Sequence, residues 1–141
     1  MNKLAYFILI LPILVFSQSN NQNWVKSTTY KVASQETIAN PTKQQANVLV
    51  IYFDGLGRPI QQIASKQSNT GKDFVIHIEY DAFGRQTKEF LPLASDQSNL
   101  AYIEGATAKS AIESKYQTWY GDLNPYSYKQ LENSPLNRVL K

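Results

Sequence analysis

The chain has 141 residues, a formal charge of +3 and no cysteine, so it is of single-domain size and has no disulfide to lean on. Its 14 Lys and Arg residues are scattered singly among 11 Asp and Glu residues, without a basic run or face, so nothing marks a nucleic-acid partner. A cysteine-free exported domain must rely on core burial and strand pairing, or on being part of something larger.

Lys3 supplies a positive start, and Leu4 to Phe16 is an apolar run of 13 residues broken only by Pro12. A membrane span needs about 20 apolar residues. Val15 and Ser17 sit where a signal peptidase takes small or modest side chains. The run therefore predicts a signal peptide over residues 1–17, cleaved after Ser17. The mature chain is expected to be secreted or at the cell surface, with no stable membrane span after processing. No Cys follows the run, which excludes lipid attachment there. Residues 18–23 are rich in Asn, Gln and Ser and are expected to be a disordered linker.

Residues 24–33 have strand character, and residues 34–45, with Pro41, read as a loop. Ala46 to Phe53 is a β-branched and aromatic run, apolar on both faces and so expected to be buried. Asp54 to Gly57 reads as a turn, and Ile60 and Ile63 resume apolar character. Asn69-Thr70-Gly71-Lys72 is a second turn signal. Phe74, Ile76, Ile78 and Tyr80 then alternate with Val75, His77 and Glu79, which puts His77 on the face opposite Ile76. Asp81 to Gly84 is a third turn, followed by a short strand ending near Leu91-Pro92. Ala108, Ala111, Ile112, Tyr116 and Trp119 fall at helical spacing, with Thr107 as N-cap and Gly121 as the terminating glycine. Residues 126–131 read as a strand, and Ser134-Pro135-Leu136-Asn137-Arg138 as a decayed turn of the earlier kind. The fold class expected is mainly β, built from β-hairpins, with one α-helix near residues 107–120.

Phe53-Asp54-Gly55-Leu56-Gly57-Arg58 and Tyr80-Asp81-Ala82-Phe83-Gly84-Arg85 repeat the same order of residue types at an offset of 27 residues. Such a repeat marks small units that bury their apolar faces against neighbours. Asp54 and Asp81 start their turns because a short carboxylate accepts a backbone N–H two residues on. Gly57 and Gly84 sit where the chain enters the left-handed region, costly for residues with a Cβ. Arg58 and Arg85 follow within reach of those carboxylates. Leu56 and Phe83 are placed to fold back over the hairpins. These six residues, Asp54, Gly57, Arg58, Asp81, Gly84 and Arg85, read as turn chemistry.

The Tyr-Asp-x-x-Gly-Arg pattern at 80–85, with its Phe-Asp variant at 53–58, resembles the YD repeat of the Rhs family of large bacterial proteins. The run from Tyr52 to Gln61, with Ser134 to Val139 downstream, is similar to the N-terminal segment of secreted Rhs-repeat proteins. The resemblance implies hairpins wound into a hollow β-shell around a C-terminal, often toxic, domain. It further implies that residues 24–141 are a truncated N-terminal module, whose partners are the rest of the shell or its cargo.

No catalytic, cofactor-binding or metal-binding residues are assigned from the sequence. His77 is the only histidine, without a Cys or an evident triad partner, and is expected to be a solvent-facing or hydrogen-bonded structural residue. The carboxylates are dispersed, which leaves a small secreted hydrolase as a third possibility without visible machinery. The 2 Trp and 9 Tyr residues leave a second reading open, a surface module that binds carbohydrate or a cell-surface protein. Otherwise Tyr116 and Trp119 pack the helix onto a sheet and the other tyrosines line strands.

Overall fold

The structure is a computed structural model that describes residues 22–134 and 136–140. The expected signal peptide, its cleavage point and most of the linker lie outside the described residues. The elements run β1 (Asn23–Tyr30), β2 (Ala46–Phe53), β3 (Pro59–Ala64), β4 (Phe74–His77), β5 (Lys88–Phe90), β6 (Leu93–Ala94), α1 (Gly105–Tyr120) and β7 (Tyr126–Tyr128). An antiparallel sheet has the order β1-β2-β3-β4-β6, and β5 pairs with β7 in a second, two-stranded sheet. The fold is mainly β with one helix. β1 starts at Asn23, inside the expected linker.

Directly paired residues of an antiparallel sheet share a face. Val50, Ile63, Val75 and Leu93 pair in turn across β2, β3, β4 and β6, and all four are buried. Each such side chain contributes about 1.5–3 kcal/mol of burial. Ala108 and Ile112 of α1 close over this face. The next row is Tyr52, Gln61 and His77, also buried.

Three expectations are corrected here. β2 is buried on one face only; Leu49, Ile51 and Phe53 on its other face are half-buried. β4 faces the opposite way from the one its apolar alternation predicts. Pairing of Gln61 with His77 and Ile63 with Val75 turns His77 inward and leaves Ile76 exposed. α1 begins at Gly105, and Thr107 lies within it; Glu104 is the N-cap residue and makes no side-chain cap bond. Packing sets this start, because Gly105 lies so close to the His77 ring that a Cβ there would come within 3.2 Å of it. The C-terminus is as expected: Gly121 has φ 69° and its N–H donates to the Gln117 carbonyl at 2.9 Å.

Polar side chains hold the loop before α1 onto the sheet. The Gln61 amide donates to the Ile103 carbonyl and accepts from its N–H, both at 2.9 Å. The Tyr52 hydroxyl donates to the Leu100 carbonyl at 2.8 Å. Buried Asp73 accepts from the Leu100 N–H at 2.9 Å and the Lys66 N–H at 2.8 Å. Buried polar groups are tolerated when so paired.

Candidate functional site

The turn at Asp54–Arg58 is built from its first residue. The Asp54 N–H donates to the Arg58 carbonyl at 2.9 Å, and the Gly57 N–H to the Asp54 carbonyl at 3.0 Å. Asp54 Oδ1 accepts from the N–H groups of Leu56 and Arg58, both at 2.9 Å. Its other oxygen takes Arg58 Nε at 2.8 Å and Nη2 at 2.7 Å. Asp81–Arg85 repeats every one of these contacts to within about a tenth of an ångström, the spread expected of a shared turn geometry. Gly57 and Gly84 have φ of 76° and 74°. The six residues read from the sequence are thus brought into two equivalent turns. The first joins β2 to β3. The second does not close a hairpin, because β5 leaves β4 to pair with β7, where Phe90 packs on Tyr126 at 5.4 Å. Leu56 does not fold back either; it is exposed.

Two further turns share the plan. In Ser68–Lys72, the Ser68 N–H donates to the Lys72 carbonyl and Gly71, at φ 72°, donates to the Ser68 carbonyl. Ser68 Oγ accepts the Lys72 N–H at 2.7 Å, as Asp54 does for Arg58. Sequence reading found a turn there but not its kinship, which the order Ser, any, any, Gly, cation could have signalled. The fourth is the decayed turn that starts at Ser134, where the Leu136 N–H donates to Ser134 Oγ at 3.3 Å as Leu56 does to Asp54, and Glu132, two residues earlier, closes it. The Glu132 N–H donates to the Arg138 carbonyl at 3.0 Å, the two side chains pair at 2.7 Å, and Asn137 at φ 57° stands where glycine stood. Asn is among the residues that tolerate this conformation.

The arginines link one turn to another. The Arg58 guanidinium lies 4.4 Å from the centre of the Tyr80 ring. It also lies so near Gly84 that a Cβ there would come within 2.9 Å of Nη1. Arg85 Nη1 donates to the carbonyls of Glu132 and Ser134, at 3.0 and 2.7 Å. The first turn therefore rests on the second, and the second clasps the last. Among the described residues Arg138 pairs only with Glu132, and its side chain is 72% exposed.

These contacts hold three carboxyls below their usual range. For Asp54 the main cause is the Arg58 N–H, for Asp81 the Arg85 guanidinium, and for Glu132 the Arg138 guanidinium. A lowered folded-state value stabilises the fold above the ordinary carboxylate pKa, and that contribution disappears as pH falls through the folded value. The melting temperature is therefore expected to drop on acidification below about pH 4. The Asp54→Asn/Asp81→Asn double variant should lose part of that pH dependence; an unchanged profile would mean the turns do not carry it.

Other candidate groups are placed differently. His77 is neither solvent-facing nor hydrogen-bonded. It is buried beside Phe90, at 5.4 Å between ring centres, and neither ring nitrogen has a hydrogen-bond partner. Its Nε2 lies 3.5 Å from Glu79, within ion-pair distance, and Glu79 also pairs with Lys109 at 3.4 Å. Among the described residues, no three His, Asp or Glu side chains group as metal ligands would. Trp119 does not pack α1 onto the sheet. It is exposed, while Tyr116 is half-buried and bonds the Pro92 carbonyl at 3.0 Å. Both line a groove of about 620 Å³ with Phe74, Pro92, Asn69 and Lys115.

No curated protein and no solved structure matches this chain. One family model, described as a domain of unknown function, DUF6443, matches residues 26–141, and the chain belongs to that family.

Proposed function

We propose that this chain is a non-enzymatic structural module of the Rhs, or YD-repeat, type, exported and contributing turn-capped strands to a β-shell. In complete proteins of that type the shell encloses a C-terminal toxin or effector domain. The observation that carries this reading is the succession of arginine contacts, Arg58 on the second turn and Arg85 on the carbonyls of the last. A turn that offers main-chain carbonyls to the guanidinium of another is a unit suited to repetition. Repeat units gain stability from each neighbour they cover. Arg138, exposed on the last turn, is the group positioned for a further contact of this kind.

The test is to extend the protein after Lys141 with two more Tyr-Asp-x-x-Gly-Arg hairpins. The melting temperature is expected to rise by about 2–4 °C, as a gain near 1 kcal/mol produces in a domain of this size. Arg138→Ala should remove most of the gain. No rise, or a rise indifferent to Arg138, overturns the reading. A second reading, surface binding of carbohydrate or protein, is favoured by the aromatic groove at Tyr116 and Trp119. A binding module gains nothing from added hairpins, so the same experiment separates the two.

A further inference from the structure

We propose that β1 is a self-pairing edge that joins two copies of this chain through one continuous antiparallel sheet. Among the described residues β1 is an edge strand, bonded to β2 in regular register along all eight residues, and every one of those residues is exposed. Natural edge strands are usually blunted by proline, bulges, shortness or charge. β1 has none of the first three, and Lys26 is its one charged residue.

The ladder fixes which groups face outward. The Lys31 N–H donates to the Gln45 carbonyl, and on the far side of β2 the Ser65 N–H donates to the Val48 carbonyl. Hydrogen-bonded pairs alternate along an antiparallel ladder. Residues 23, 25, 27 and 29 therefore bond to β2, and the main-chain groups of Trp24, Lys26, Thr28 and Tyr30 point to the open edge. A second β1 can pair there about a two-fold axis at Ser27. Trp24 then faces Tyr30 of the other copy, Lys26 faces Thr28, and the reciprocal pairs repeat both. That gives about eight main-chain bonds, two for each bonded pair.

Charge favours this register over its N-terminal neighbour. The next one towards the N-terminus keeps the bonding pattern but sets Lys26 opposite Lys26 of the other copy, which like charge disfavours. The register at Ser27 instead places an aromatic pair at each end, and cross-strand aromatic pairs are stabilising. Trp24 and Tyr30 are 37% and 41% exposed and have apolar surface to bury. Their side chains lie on the inner face of the sheet, so the two cores become continuous at the junction.

Two measurements test this. Sedimentation of the protein at high micromolar concentration should give a dimer. Thr28→Pro should return it to a monomer, because it removes an N–H that points to the open edge and spares the β2 ladder. The chain has no native cysteine, so the Ser27→Cys variant reports cross-linking without ambiguity. At the two-fold, Ser27 faces itself in a non-bonded pair with Cα atoms about 4.5 Å apart, within disulfide reach. Under mild oxidation Ser27→Cys should form covalent dimer at least tenfold faster than Thr29→Cys, whose partner position is Val25. A monomer at every concentration overturns the proposal. So does a dimer that tolerates Thr28→Pro, or equal cross-linking of the two cysteine variants.

Discussion

Asp73→Ala is expected to lower stability by about 3–5 kcal/mol, the largest loss for a single polar substitution in this fold. Asp73 is 1% exposed and its carboxylate is the partner of two main-chain N–H groups far apart in sequence, Lys66 and Leu100. Both of those residues have positive φ, 52° and 60°. Conformations of this kind persist in non-glycine residues only where the surroundings over-determine them. Removing the carboxylate leaves two buried or half-buried donors unpaired, each bond to a charged acceptor contributing roughly 1.5–3 kcal/mol. Asp73→Asn keeps one acceptor oxygen but turns an amide N–H towards a backbone donor, so it should recover less than half the loss. The denaturant midpoint of the three proteins checks this, with an unchanged slope confirming that stability alone has moved. A loss below about 1 kcal/mol for the alanine variant, the range of ordinary surface changes, would show that the two N–H groups find other partners.

The part of the fold that depends on local chemistry was legible in the sequence. Asp54, Gly57 and Arg58 predict a turn from three residues, and Asp81, Gly84 and Arg85 repeat it. The end of α1 follows from Gly121 alone. The part that depends on distant partners was not legible. Nothing local in the sequence marks Gln61 or Asp73 as a core residue, yet both are buried because main chain from 42 and 27 residues away comes to meet them. His77 misled in the same way. Phe74, Ile76 and Ile78 outweigh Val75 and His77 in apolar size, so alternation points the strand outward-in. Register with Gln61 and Ile63 decides otherwise. Turn kinship at Ser68–Lys72 was hidden by substitution, Ser68 replacing Asp and Lys72 replacing Arg, whereas the last copy, with Ser134 and Asn137 in place of Asp and Gly, was legible. Part of the hydrogen-bond pattern survives these exchanges because each replacement keeps an acceptor at the start and a residue able to adopt positive φ near the end.

Arg85→Ala is expected to cost about 3 kcal/mol and to free the last turn while leaving the five-stranded sheet in place. The Arg85 side chain is 11% exposed, against 36% for Arg58 and 72% for Arg138. It is also the one that reaches main chain in a segment 47 and 49 residues away. Two charge-assisted bonds to carbonyls, at roughly 1.5 kcal/mol each, account for the estimate. Among the described residues, the region they hold is otherwise kept by one isolated bridge of Leu131 with Val139, the Glu132–Arg138 pair and the Leu140 N–H on the Gln130 carbonyl, while Leu136, Val139 and Leu140 are exposed. Hydrogen exchange should therefore show early loss of protection at Glu132 and Leu140, whose N–H groups are bonded in the native turn. Amides of β2 and β3 should lose protection only with global unfolding. Arg85→Lys distinguishes charge from shape. A lysine retains the charge beside Asp81 but cannot hold the carboxylate and two carbonyls at once, as the planar fork of arginine does. It is expected to behave nearly like alanine in the exchange of Glu132 and Leu140. If lysine restores their protection in full, simple charge neutralisation at Asp81 is sufficient. The carbonyl clasp is then not what ties one turn to the next.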